Sequence, residues 1–140
     1  MVSPDSWPRL YLYAAMGGML GSLMRYGVAV LGPAMNPGGF PWSSLVVNVL
    51  GSLLIGWLVA VTQPTARWPM GPVWQAFWLA GVCGGFTTFS FFSRDLALLL
   101  YAEAWSASII YLALSLLGWL AAVWIGFSVG QRFCSQSDQG

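Results

Sequence analysis

The chain has 140 residues, of which 58% are hydrophobic and only 6% are charged. Soluble globular domains carry about 25% charged residues, so this composition excludes them and indicates an integral membrane protein. A net charge of +1 offers no electrostatic footprint for nucleic acid, and the lack of histidine removes the commonest general base and metal ligand. Ser-His and Cys-His hydrolysis are therefore disfavoured, and the chain is not expected to be an enzyme.

Four apolar stretches are long enough to cross a membrane, which takes about 20 mostly apolar residues. They cover approximately residues 10–31, 43–62, 73–100 and 105–129, with Pro- and Gly-rich loops after the first two, the first loop spanning positions 33–41. The first stretch is too long for a signal peptide, and three more spans follow it. The sequence predicts an all-α protein with one four-helix transmembrane domain at 1–130 and a polar, disordered tail at 131–140.

The arginines near the ends of the predicted helices give a weak orientation signal. Arg9, Arg67 and Arg132 fall on one side of the membrane, whereas Arg25 and Arg94 fall on the other. With three arginines on one side and two on the other, the positive-inside rule gives little preference for either orientation, so the chain is compatible with insertion both ways.

The first span combines small residues with one charge. Gly17 and Gly21, like Gly18 and Ser22, are spaced four apart, which favours close packing of helices. Arg25 has two interpretations: a functional charge within the membrane, or a side chain that extends to the nearer interface. In either case its charge attracts anions.

The second span carries a narrow polar stripe of residues spaced four apart, comprising Ser44, Asn48, Ser52 and Gly56. The Asn48 amide can donate a hydrogen bond to an anion and accept one from a neighbour. The alternative is an ordinary hydrogen bond between helices, and the stripe alone does not distinguish the two.

The third span contains a predicted interruption at Gly84–Gly85 and the two threonines that follow, Thr87 and Thr88. Glycine disfavours a helix by about 1 kcal/mol relative to alanine, and threonine is also a mediocre helix former. Backbone groups freed inside lipid must be met by protein, water or an ion. Phe89 and Phe92 share a helix face just beyond, and Ser90 adds a hydroxyl group. Composition alone leaves helix packing and ion handling equally open.

The fourth span places Tyr111 and Ser115 on one face, as candidates for either pore-facing groups or hydrogen bonds between helices. A second face carries a stripe of small residues that predicts close packing, comprising Gly118, Ala122, Gly126 and Gly130. Trp119 is a bulky residue beside this stripe, where it either narrows a vestibule or repacks it.

Three strings together resemble the Fluc (CrcB) fluoride channel family. They are the segment 17–26, the pattern Asn48-x-x-Gly51-Ser52-x-x-x-Gly56, and Gly84-Gly85-x-Thr87-Thr88-Phe89-Ser90-x-Phe92-Ser93. The resemblance covers approximately residues 17–118. Phe91 stands where that family often has threonine, which removes one hydroxyl from a polar track.

The resemblance implies a channel that passively exports fluoride across the plasma membrane of a prokaryote and protects the cell from fluoride toxicity. It implies a dual-topology, antiparallel homodimer with two pores, and a structural Na⁺ held by the backbone carbonyls of Gly84 and Thr87. Arg25 is expected in a vestibule. The residues expected to line the pore are Ser44, Asn48, Phe89, Ser90, Phe92, Tyr111 and Ser115.

Two other classes stay open as alternatives. A dimeric proton-coupled exporter of the small multidrug type needs a carboxylate embedded in the membrane. The first two predicted spans contain no Asp or Glu, and Asp95 lies toward the end of the third. A membrane scaffold without transport activity would explain the stripes of small residues, but not the combination of Gly, Thr, Phe and Ser at the interruption.

Overall fold

The structure is a computed structural model that describes residues 7–35, 39–64, 66 and 68–135, without the side chains of 32–35. Four helical segments in it are long and apolar enough to cross a membrane. The described residues contain no β-strand. The prediction of an all-α protein with four membrane spans is therefore confirmed.

The first two helices are α1 (Trp7–Met35) and α2 (Trp42–Thr62). The third span, Pro72–Tyr101, has two parts: α3, covering residues 72–86, and α4 (Phe89–Tyr101). The last helix is α5 (Trp105–Ser135).

Two helices extend beyond their predicted ends. Helix α1 continues through positions 32–35, which were predicted as the start of a loop, and α5 continues through 131–135, which were predicted as a disordered tail. The extension of α5 continues a helix whose backbone hydrogen bonds are already formed, so each further residue is added cheaply. The extension of α1 includes Pro33, which has no N–H to donate, and nothing in the structure explains it. The predicted tail at 136–140, Arg67 and the loop residues 36–38 lie outside the described residues.

The predicted interruption of the third span is confirmed: it lies at Thr87–Thr88, whereas the preceding Gly84 and Gly85 stay helical. Helix α3 changes to π-helix over Ala76–Cys83 and ends with the α-helical turn Gly84–Phe86. Gly85 is retained in the helix because it permits close packing: a Cβ there would lie 3.0 Å from the Gly18 Cα of α1. Such contact offsets the low helix propensity of glycine.

Small residues bring the helices together in two pairs. A Cβ on Gly81 would lie 2.7 Å from the Ala14 carbonyl oxygen, so α1 and α3 are in backbone contact. A Cβ on Gly126 would lie 3.0 Å from the Trp57 backbone nitrogen, so α2 and α5 are equally close. The predicted packing role is confirmed for Gly17, Gly21 and Gly126, where a Cβ would lie within 3.0 Å of the neighbouring backbone, whereas a Cβ on Gly18 would meet no atom within 4 Å.

Candidate functional site: an interrupted helix held by Asn48

The side chain of Asn48 holds the backbone at the interruption. Its Nδ2 donates to the Thr88 carbonyl oxygen at 2.9 Å, and its Oδ1 accepts from the Thr88 backbone N–H at 2.7 Å. Asn48 is buried, so this pair of hydrogen bonds is shielded from solvent. The amide therefore replaces the helical partners that Thr88 lacks at the break.

The Thr88 side chain caps the N-terminus of α4. Thr88 has an extended backbone, and its Oγ1 accepts from the Phe91 backbone N–H at 3.3 Å, as an N-cap residue does. Its Oγ1 also lies 3.1 Å from the Ser90 Oγ. The Ser90 hydroxyl therefore lies at the site, in contact with that of Thr88.

Two backbone carbonyls at the break lose the donors they would have in a continuous helix. The Thr88 N–H, four residues after Gly84, bonds to Asn48 instead. The Phe91 N–H, four residues after Thr87, bonds to the Thr88 side chain. The carbonyl groups of Gly84 and Thr87 are therefore left to other partners.

A cavity of about 350 Å³ opens beside the interruption. Its lining includes residues from α2, from both sides of the break and from α5, namely Asn48, Ser52, Ile55, Gly84, Thr87, Thr88, Phe89 and Trp119. Amide, hydroxyl and aromatic groups thus converge on one space, at the place where a helix is broken.

A second cavity, of about 290 Å³, lies on the other side of Thr88 and is lined by charged residues, including Arg25, Arg94 and Asp95. Ser44 lines it too and donates a hydrogen bond to the Asp95 carboxylate. Thr88 lines both cavities, so both adjoin the break.

Arg25 points toward the broken helix. Its Nε donates to the Gly85 carbonyl oxygen at 3.2 Å, and its Cζ lies 5.3 Å from the centre of the Phe91 ring. A guanidinium over an aromatic face gains cation–π attraction. Phe91, the residue that departs from the expected threonine, thus helps to position the arginine at the second cavity.

An aromatic cluster lies against the interruption. The Phe92 ring is 5.4 Å from that of Tyr111 and packs edge-on at 5.0 Å against Trp119. Phe92 is 5% exposed, whereas Phe89, whose ring is 5.4 Å away, is 69% exposed in the single chain. The two predicted phenylalanines therefore differ: one is a buried anchor and the other is available to a partner.

Three buried polar atoms of α5 make no hydrogen bond within the described part of the chain: Tyr111 Oη, Ser115 Oγ and Trp119 Nε1. Tyr111 and Ser115 are fully buried. Buried polar groups normally have a partner, so these atoms need an explanation.

The structure brings most of the predicted site residues close to the interruption. Asn48, Phe89, Gly84 and Thr87 share the first cavity, while Ser44 and Arg25 share the second. Three further predicted residues contact the residues of the first cavity. Ser90 lies beside the Thr88 hydroxyl, Phe92 packs against Phe89, and Tyr111 packs against Phe92. Ser115 lies one turn beyond Tyr111 on the same face of α5.

The roles of two site residues were not predicted. Thr88 was expected only as a poor helix former, and its role as the bonded centre of the break depends on Asn48, 40 residues away. Trp119 was predicted to narrow a vestibule or to repack it; it lines the first cavity, but its unbonded N–H was not predicted. Its position eight residues after Tyr111 and four after Ser115 was the available signal, because that spacing places all three on one helix face.

The fold and site define a small membrane protein with four spanning helices, one of them broken and held open by a polar side chain. A model of the family described as "CrcB-like protein, Camphor Resistance (CrcB)" matches residues 12–127. The chain belongs to this family.

Curated relatives align along most of the chain. The fluoride-specific ion channel FluC of Opitutus terrae is 43% identical over 117 residues, covering 84% of this chain and 89% of that protein. FluC 1 of Bradyrhizobium diazoefficiens is 36% identical over 134 residues, covering 94% of this chain and 92% of that protein. FluC of Rhodospirillum rubrum is 40% identical, covering 83% and 90%.

Proposed function

We propose that this protein is a fluoride-selective channel through which fluoride leaves a prokaryotic cell across the plasma membrane. The observation that carries the proposal is similarity to proteins named as fluoride-specific ion channels over 83–94% of the chain. The broken span lies inside the matched residues 12–127. The protein is a passive transporter and not an enzyme.

The biological reason for such a channel follows from acid–base chemistry. Hydrogen fluoride is a weak acid that crosses membranes, ionises in a neutral cytoplasm and accumulates there as the anion. A channel needs no energy source to release it, because the anion moves down its electrochemical gradient. The proton-coupled exporter is not favoured, because the relatives are named as ion channels.

The charges and donors suggest how the anion is conducted. Arg25 and Arg94 line the second cavity, and their positive charge raises the local concentration of anions. The first cavity then offers the Asn48 amide, which keeps one N–H beyond the hydrogen bond to Thr88. The positive edge of the exposed Phe89 ring supplies further stabilisation.

Selectivity requires fixed groups that offset the large cost of removing water from a small, strongly hydrated anion. Asn48 is held by two hydrogen bonds and Phe92 by three ring contacts, so neither group must reorganise when an ion arrives. Preorganised donors are more effective than mobile ones. A narrow path between such groups excludes the larger chloride.

A structural Na⁺ at the break is part of the proposal. The carbonyl oxygens of Gly84 and Thr87 fit a hard cation, since their helical donors are bonded elsewhere. Two oxygens are too few for one ion, so a second subunit would have to supply more. When bound, the ion would hold the break together and favour nearby anions.

An antiparallel homodimer is the second structural part of the proposal. Irregular backbone at membrane depth is tolerated only where it is buried in protein or lines a water-filled cavity. In the single chain, Phe89, Ser90 and Ser93 are exposed beside the break, which supports coverage by a second copy. The weak arginine bias is compatible with opposite insertion of the two copies.

The test of the proposed function is anion efflux from liposomes that contain the purified protein. We expect rapid fluoride release, followed with a fluoride electrode, and negligible chloride release from matched vesicles. Empty liposomes and liposomes with heat-denatured protein serve as controls. Absence of fluoride release from a folded, reconstituted protein would overturn the proposal.

The two phenylalanines give a prediction that separates conduction from stability. Phe92→Ile and Phe89→Ile should each lower fluoride efflux by about tenfold or more, because each removes an aromatic edge. Phe92→Ile should lower the melting temperature more than Phe89→Ile, because it removes three ring contacts instead of one, each worth about 0.5–1.5 kcal/mol. Efflux and thermal unfolding in detergent measure the two effects. Unchanged efflux in both folded variants would refute the aromatic contribution.

Dual topology gives a second prediction. In a variant with Cys83→Ala, Cys134→Ala and Ser135→Cys, the new thiol lies at the end of α5. A membrane-impermeant maleimide added to intact cells should label about half of the protein, with the rest labelled only after lysis. A matched single-cysteine variant of a protein with known fixed orientation calibrates the labelling. Complete labelling or complete protection in intact cells would contradict the antiparallel arrangement.

A further inference from the structure

The three unbonded polar atoms of α5 lie in a row. Tyr111, Ser115 and Trp119 are spaced four residues apart, so they occupy one helix face. At 1.5 Å per residue, successive side chains in such a row start about 6 Å apart. A buried polar group without a partner is unfavourable. The Tyr111 hydroxyl lies near those of Ser44 and Ser115, whereas Trp119 Nε1 has no hydrogen-bond partner among the described residues.

Trp119 is the member of this row that reaches the first cavity. It shares the cavity lining with Asn48, Thr87 and Phe89. The edge-on contact with Phe92, at 5.0 Å and 74°, fixes the ring. Its Nε1 is buried and makes no hydrogen bond in the described part of the chain. The indole is thus positioned by its carbon atoms and leaves its N–H available.

The chemistry of the indole differs from that of the two hydroxyl groups. A hydroxyl both donates and accepts, so tyrosine and serine can bond to water or a cation as well as to an anion. The indole N–H only donates and does not ionise at accessible pH. The indole N–H therefore binds acceptors with concentrated negative charge and cannot bind a cation.

We propose that the Trp119 indole N–H is a fluoride-binding donor and a specificity-determining group at the end of the row formed with Tyr111 and Ser115. The inference rests on the proposed function and deepens it, since it assigns the anion a particular donor. The donor acts at the first cavity, whose lining it shares with Asn48 and Phe89.

The direct test observes the indole itself. The protein contains nine tryptophans, so labelling with ¹⁵N-tryptophan gives one indole N–H signal for each. Trp119→Phe identifies the Trp119 signal by its disappearance. On titration with potassium fluoride we expect this signal to shift saturably, and to stay in place with potassium gluconate at equal ionic strength. Absence of a fluoride-dependent shift in a protein that releases fluoride would overturn the inference.

A flux measurement provides a second test. Trp119→Phe removes the N–H and retains an aromatic ring, so fluoride efflux should fall by about ten- to hundredfold, as for one lost hydrogen bond to a charged group. Trp124→Phe, at an exposed position of the same helix, is the matched control and should leave efflux unchanged. Unaltered efflux in a folded Trp119→Phe protein would contradict the assignment.

The two failures are distinguishable. If the unmodified protein releases no fluoride, the proposed channel function fails, and the indole titration alone decides whether Trp119 binds the anion. If the unmodified protein releases fluoride but the indole does not respond, the channel stands and the Trp119 site is refuted.

Discussion

Replacing Asn48 by alanine should abolish most fluoride efflux and destabilise the protein. The change removes both partners of Thr88, leaving a backbone N–H and a carbonyl unsatisfied at a buried position. Each such group costs about 1–3 kcal/mol. We expect a clear drop in melting temperature and a fall in efflux of more than about a hundredfold, measured in detergent and in liposomes respectively.

Asn48→Asp tests the donor of this residue. The carboxylate still accepts from the Thr88 N–H, but it cannot donate to the Thr88 carbonyl and its charge is buried, so the loss of stability should be at least as large as in Asn48→Ala. Efflux should also fall at least as far, because a negative charge repels the anion. Ser128→Ala, which removes a hydrogen bond within α5 at 2.8 Å, is the control and should alter neither property. An Asn48→Ala protein with normal melting and efflux would show that the Thr88 bonds are dispensable.

Gly21→Ala should have the second large effect, because α1 and α3 are in backbone contact there. The added Cβ would overlap the Val82 carbonyl oxygen and lie 2.7 Å from the Phe86 nitrogen. The helices would have to move apart, which typically costs about 1–3 kcal/mol. Because Arg25, one turn further, bonds to Gly85, the shift should also disturb the second cavity and lower efflux.

Gly27→Ala is the matched control on the same helix. A Cβ at Gly27 meets no atom within 4 Å, and alanine has the better helix propensity by about 1 kcal/mol. The two alanine variants should therefore shift the melting temperature in opposite directions. A Gly21→Ala protein as stable as the Gly27→Ala protein would mean that the contact between α1 and α3 relaxes without cost.

The architecture was largely predictable because membrane spans are signalled by composition. The four helices and the small-residue pairs such as Gly17 with Gly21 follow from local patterns. The helix ends were less predictable: 32–35 and 131–135 are helical although proline or polar residues occur there. Ends depend on hydrogen bonds that continue from the preceding turn, which composition does not report.

The site was predictable as a set of residues but not as an arrangement. Asn48, Phe89, Gly84 and Thr87 were expected near one another, and they line one cavity. The sequence did not indicate that both polar atoms of Asn48 bond to Thr88, since a hydrogen bond across 40 residues leaves no local signature. The unbonded N–H of Trp119 could not be predicted either, because it is evident only after the helices have packed.

The sequence by itself determined that this protein spans a membrane four times and that its third span is interrupted. Both follow from local properties: apolar length, and a run of residues with poor helix propensity. Only the tertiary structure decided where the interruption lies. Gly85 stays helical because it packs against Gly18, and Thr88 becomes the break because Asn48 and its own hydroxyl replace its helical bonds. In a membrane the break must occur where other groups can satisfy the backbone, and packing decides where those groups are.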